Sequence, residues 1–165
     1  MPLSESPQPL KRDPALRPLS RDHHHALLLS WKIRQGQAAK VAPGRMMRYV
    51  RAFYEEALAA HFEEEERLLF PLLGAEHPLV QRALAEHRRL EGLFSTDEEA
   101  SWPEALSAIE RELVAHIRFE ERELFQAIQE KTAPAELEAV QDQLHPREKG
   151  DPLAHWPDPF WRREA

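Results

Sequence analysis

Two related segments constrain this chain more than any other feature: HFEEEERLLF from His61 and HIRFEERELF from His116. Aligned, they agree at the histidine, at the glutamate four residues on, at the next Glu and Arg, and at the closing Leu and Phe. On an α-helix, positions i and i+4 lie one turn apart on the same face. His61 with Glu65, and His116 with Glu120, therefore each present an imidazole and a carboxylate to one side. Each pair sits inside an apolar stripe. One stripe is Val50, Tyr54, Ala57, His61, Glu65, Leu68 and Leu72; the other is Leu106, Ile109, Leu113, His116, Glu120, Leu124 and Ala127. Buried carboxylates are costly unless paired, protonated or bound to a cation.

Two more helical stripes each carry a histidine. Val80, Leu84, His87, Leu90 and Phe94 line up in one. In the other, His24 shares a face with Leu27, Leu28 and Trp31 and is taken as the inward histidine; His23, preceded by an acidic residue as His87 is, is the alternative. Glu63, Glu64 and Glu66 read as a solvated face, His77, His145 and His155 as surface or loop histidines, and Tyr54 as a core residue.

Proline and glycine set the boundaries. Residues 1–19 hold five prolines and read as an extended N-terminal arm. Ser20 suits the N-cap of a first helix ending near Gly36, and Pro43–Gly44 marks a turn. A second helix then runs from about Arg45 to Phe70, a third from Pro78 to Phe94, and a fourth from Pro103 to Lys131. A shorter fifth helix follows to about Leu144, and the tail HWPDPFW reads as irregular structure on the domain surface. Leu (22), Ala (22) and Glu (23) dominate, against 11 Val, Ile and Thr together, which favours helix over strand. The expected fold is all-α: an antiparallel up-down four-helix bundle over residues 20–131, with a short additional C-terminal helix and irregular tail over 132–165.

Several function classes drop out. The net charge of −7 is spread along the chain, so no basic face invites nucleic acid or an anionic membrane. The absence of cysteine removes disulfides, thiolate catalysis and cysteine-ligated iron–sulfur clusters. No apolar run reaches the roughly 18 residues of a membrane span. MPLSESPQPLKRDP lacks the apolar stretch of a secretory signal, so the expected compartment is the cytoplasm. Four imidazoles and two carboxylates form a mixed nitrogen–oxygen set that suits iron or manganese and accommodates zinc. The expected metal residues are His24, His61, Glu65, His87, His116 and Glu120. Six protein ligands cannot fill two octahedral ions even with both carboxylates bridging, so solvent-derived bridges and an open position remain. The expected partner there is a small diatomic ligand (O2 or NO) or peroxide, in a monomer or homodimer.

With DHHHALLL, HFEEEERLLFP, AEHRRLEGL and HIRFEERELF in this order, the chain resembles the hemerythrin HHE cation-binding family over roughly residues 20–130. The resemblance implies two iron ions, a di-iron centre with oxo or hydroxo bridges. It places the bridging carboxylates on Glu65 and Glu120 and the terminal histidines on His24 (or His23), His61, His87 and His116. The chain departs from the oxygen carriers of that family, which add a fifth histidine one turn from the other in the third helix; the matching positions are Ala83 and Glu91. It is similar to iron-centre repair proteins in the helical motifs, without their cysteine-bearing N-terminal segment. The expected function is a sensor, scavenger or store for O2 or NO. Detoxification of NO or peroxide, repair of iron centres, and a metal-free interaction domain are the alternatives.

Overall fold

The computed structural model describes residues 11–147 and 149–163, and no strand occurs among them. The expected arm over 1–19 has its first ten residues outside the described ones. Asp13 caps a short 3₁₀ turn, Pro14–Leu16, by accepting from the Ala15 N–H. Helix α1 (Arg17–Ala38) follows directly, so it starts earlier than Ser20 and continues past Gly36. Gly36 does not cap α1. A Cβ there would lie 2.5 Å from the Met46 sulfur and 2.9 Å from the Phe160 ring, so its missing side chain permits a close approach.

The second rod is one run of helix with two interruptions. It comprises α2 (Pro43–Phe53), a π turn (Tyr54–Leu58), α3 (Ala59–Glu64), a second π turn (Glu65–Leu69) and a 3₁₀ turn (Phe70–Leu72). The third rod, α4 (Pro78–Phe94), matches its sequence boundaries. His77 is its N-cap, accepting from the Leu79 N–H, and Pro78 occupies the first turn, where its missing N–H costs nothing. The fourth rod joins α5 (Trp102–Phe119) to α6 (Phe125–Lys131) through a π turn, Glu120–Leu124. Helix α7 (Pro134–Gln143) is the short fifth helix.

Each π turn takes up one extra residue and rotates the helix on its C-terminal side. Beyond Glu120 the buried positions are Leu124, Phe125 and Ile128, while Ala127 is only partly covered. Around the first π turn the rod buries Phe53 and Leu58 rather than Tyr54 and Ala57, and Tyr54 stacks on Phe94 with centroids 4.9 Å apart.

The apolar core forms two clusters. One holds Leu16, Leu19, Leu69, Val80, Leu124 and Phe125; the other holds Leu29, Ile33, Val50, Phe53, Leu90, Leu106 and Leu113. Every rod passes from one cluster to the other. The direction alternates along the chain: Leu19 to Leu29, Val50 to Leu69, Val80 to Leu90, Leu113 to Leu124. This arrangement is compatible with the expected four-helix bundle.

The C-terminal tail closes the end of the second cluster. Phe160 is buried there, and Tyr49 meets Trp156, Phe160 and Trp161 edge-on or tilted. Buried Lys32 donates to the Tyr49 hydroxyl at 2.7 Å and to Asp151 at 3.0 Å, and lies 4.1 Å from the Trp161 ring centre. Three partners satisfy an ammonium that would otherwise be costly to bury. No helix among the described residues is long and apolar enough to cross a membrane.

Candidate metal centre

Between the two clusters lies a layer of six buried polar side chains: His23, His61, Glu65, His87, His116 and Glu120, each at most 3% exposed. All four rods contribute. Five of these residues are the ones expected from the sequence, and the structure brings them together. His24 is not among them. It sits on the exposed side of α1, on the stripe with Leu27, Leu28 and Trp31, which are 36–41% exposed. The inward stripe of α1 runs Leu19, His23, Ala26, Ser30 and Ile33, one residue earlier in register. Tyr54 packs on Phe94 and takes no part in the layer.

The four histidines share one arrangement. Each Nδ1 points outward to a carboxylate: His23 to Glu121 at 2.7 Å, His61 to Asp22 at 2.9 Å, His87 to Glu66 at 2.8 Å and His116 to Glu86 at 2.8 Å. A carboxylate accepts only, so each pairing puts the proton on Nδ1 and leaves Nε2 facing inward. Inside, His61 Nε2 lies 2.9 Å from Glu65, His87 Nε2 3.2 Å from Glu120, His116 Nε2 2.5 Å from Glu120, and His23 Nε2 3.4 Å from Glu120. Outer carboxylates that fix ring tautomer and orientation are the usual support of metal-binding histidines.

The expectation that Glu63, Glu64 and Glu66 share a solvated face holds for Glu63, which pairs with Arg67 on the surface. Glu66 is half-buried against His87, and Glu64 is 1% exposed, held by His145 and Arg147. His145 is thereby a partner of Glu64 as well as a loop residue. Sequence reasoning missed Asp22, Glu66, Glu86 and Glu121 as outer partners. Each sits directly beside a site residue in the chain, and an acidic residue flanking a ligand was the available signal.

The inner groups are those a cation would satisfy. Both Glu65 oxygens, one Glu120 oxygen and His116 Nε2 are buried without a hydrogen-bond partner; their approaches to neighbouring groups are short but lack hydrogen-bond geometry. His23 and His61 face each other Nε2 to Nε2 at 3.1 Å. Adjacent ligands on one ion with bonds of about 2.1 Å lie about 3 Å apart, so this spacing suits two nitrogens on a common ion. Two groups of donor atoms, each within 4.8 Å, could hold a metal: His23, His61, Glu65 and Glu120, and Glu65, His87, His116 and Glu120. They share both carboxylates.

Electrostatics agree. Burial disfavours a charged His61, but Glu65 and Asp22 outweigh it and push its pKa up to about 10. Burial is likewise overcome at His87 by Glu120, Glu65 and Glu66, to about 11, and at His116 by Glu120 and Glu86, to about 9. The pKa of His23 is raised by Glu120 and Glu121 against the same burial. Burial raises the pKa of Glu120, yet His116 and its other neighbours hold it well below the ordinary carboxylate range. Imidazoles and carboxylates in this layer thus stabilise one another's charged forms, so the layer holds positive charge beside its carboxylates.

Aromatic rings wall this layer. Phe62 stacks on His87 and Phe125 on His23, with centroids 4.0 and 5.4 Å apart. The π turns Glu65–Leu69 and Glu120–Leu124 both begin on an inner carboxylate, and Phe70 and Phe125 donate their N–H groups to the carbonyls of Glu65 and Glu120 five residues earlier. Such turns recur at functional positions in helices.

A helical domain with histidines on four rods around two shared carboxylates is of the cation-binding class. The family model for the hemerythrin HHE cation binding domain matches residues 15–128, and the chain belongs to that family. Comparison with curated proteins and with solved structures gave no match.

Proposed function

We propose that this chain is a non-haem di-iron protein that binds O2 or NO at an open iron position and serves as sensor, scavenger or store. The rods would form an antiparallel up-down four-helix bundle. His23 and His61 would hold one iron, His87 and His116 the other, with Glu65 and Glu120 bridging. The observation that carries this reading is the pair of overlapping donor groups sharing two buried carboxylates, three of whose four oxygens have no hydrogen-bond partner. The donor chemistry supports iron: imidazole and carboxylate together suit iron in preference to softer metals. When bound, a di-iron pair supplies two redox-active Lewis-acid centres to a diatomic ligand. The chain's own part is to hold each imidazole through its outer carboxylate and to wall the layer with the rings of Phe62 and Phe70 against His87 and of Phe125 against His23.

Anaerobic purification, metal analysis and ultraviolet–visible spectra before and after adding O2 and NO test the proposal. About two irons per chain, with new charge-transfer or nitrosyl bands on gas addition, are expected. Protein that takes up no iron, or diferrous protein inert to both gases, would overturn it.

A further inference from the structure

Each outer carboxylate is itself paired with an arginine, and the four arginines divide into two kinds. On the His87–His116 side, Arg88 pairs with Glu66 and Arg82 with Glu86; both arginines lie on α4 and are 50% or more exposed. On the His23–His61 side, Arg12 pairs with Glu121 at 2.7 Å and Arg147 with Asp22 at 2.9 Å, and they are 19% and 17% exposed. Neither residue lies within the family-matched region 15–128.

Arg147 has a built seat. Its Nε donates to both Asp22 oxygens at 2.9 and 3.1 Å, one terminal nitrogen donates to Glu64 at 2.8 Å, and the other to the His145 carbonyl. Glu64 also accepts from the His145 N–H and contacts the His145 ring at 2.6 Å. A fully buried carboxylate on α3 thus has all its described partners in the segment after α7. A buried, unpaired carboxylate is costly, so this segment is held against the site side of α3.

We propose that Arg147 is a positioning residue of the metal centre: by fixing Asp22 on His61 Nδ1, the C-terminal segment sets metal affinity at the His23–His61 position and leaves the His87–His116 position independent of it. The inference rests on the di-iron reading of the site. It makes the two positions inequivalent in one specific respect. One is supported within the four rods, and the other depends on chain segments flanking them. A guanidinium that grips both oxygens of Asp22 stops the carboxylate from turning away, and Asp22 in turn holds the His61 ring with its Nε2 inward.

Anaerobic Fe(II) titration by equilibrium dialysis, with Mössbauer spectra of the loaded protein, tests this on the full chain. Arg147→Ala and Asp22→Asn should each weaken one equivalent of iron by about 10–100-fold and leave the other unchanged, the range usual for loss of such outer partners. One component of the Mössbauer spectrum should shift while the other stays. Arg147→Lys should restore part of the affinity, and Arg82→Ala should leave both equivalents as in the parent. Two unaltered equivalents in Arg147→Ala and Asp22→Asn would overturn the proposal. So would equal weakening of both equivalents with a lowered melting temperature, which would mark a purely structural role. A parent protein that binds no iron would instead remove the di-iron reading itself.

Discussion

His23 and His61 meet Nε2 to Nε2 at 3.1 Å, while the opposite nitrogen of each ring, Nδ1, donates to Glu121 or Asp22. Nitrogens at that distance share a positive charge, either a proton or a metal ion. His24, the next residue, turns its ring to solvent. His23→Ala should therefore reduce iron to at most one equivalent per chain, while His24→Ala should keep the parent stoichiometry. Metal analysis of the two purified variants checks this, and iron loss confined to His24→Ala would reverse the assignment.

Phe62 lies against His87 with its ring plane 15° away and also meets His116 edge-on. It is 2% exposed and belongs to the cluster beside the polar layer. Phe62→Ala should cost about 3–5 kcal/mol in urea unfolding, as buried Phe-to-Ala changes do. A loss under about 1 kcal/mol would mean that the wall beside His87 collapses into the gap.

Two glycines in helices should respond to alanine with opposite sign. At Gly36 a Cβ meets the Met46 sulfur and the Phe160 ring, so overpacking of about 1–3 kcal/mol outweighs the gain in helix propensity. At Gly92 nothing lies within 4 Å, and the propensity gain of about 0.5–1 kcal/mol stands alone. Gly36→Ala should melt lower than the parent and Gly92→Ala higher.

The legible parts of this chain are those where one residue type has one physical meaning. Pro78 can occupy a first helical turn, so the start of α4 was readable, whereas the cap supplied by His77 was not. A histidine and a glutamate one turn apart in an apolar stripe were readable twice. The register of α1 was not. Its inward stripe carries Ala26, Ser30 and Gly36, small or polar residues that read as outward, while Leu27, Leu28 and Trp31 face solvent. A 3.6-residue pattern also cannot register a π turn. The shift from Ala127 to Ile128 was therefore invisible, as was the choice of Phe53 over Tyr54. The role of Glu64 depended on Arg147, 83 residues away, which no local pattern reports.

The division of the apolar core has a mechanical consequence. Each cluster is closed within itself, and what joins them through the middle of the molecule is a waist of carboxylates and imidazoles. Ions seated there would act as rivets, making the two ends melt as one cooperative unit. With the rivets drawn, the waist becomes the weakest cross-section, and either end can fray without dissolving the other. Melting curves of the iron-loaded and iron-free protein read this out: one transition is expected with iron, and a broader or split one without it.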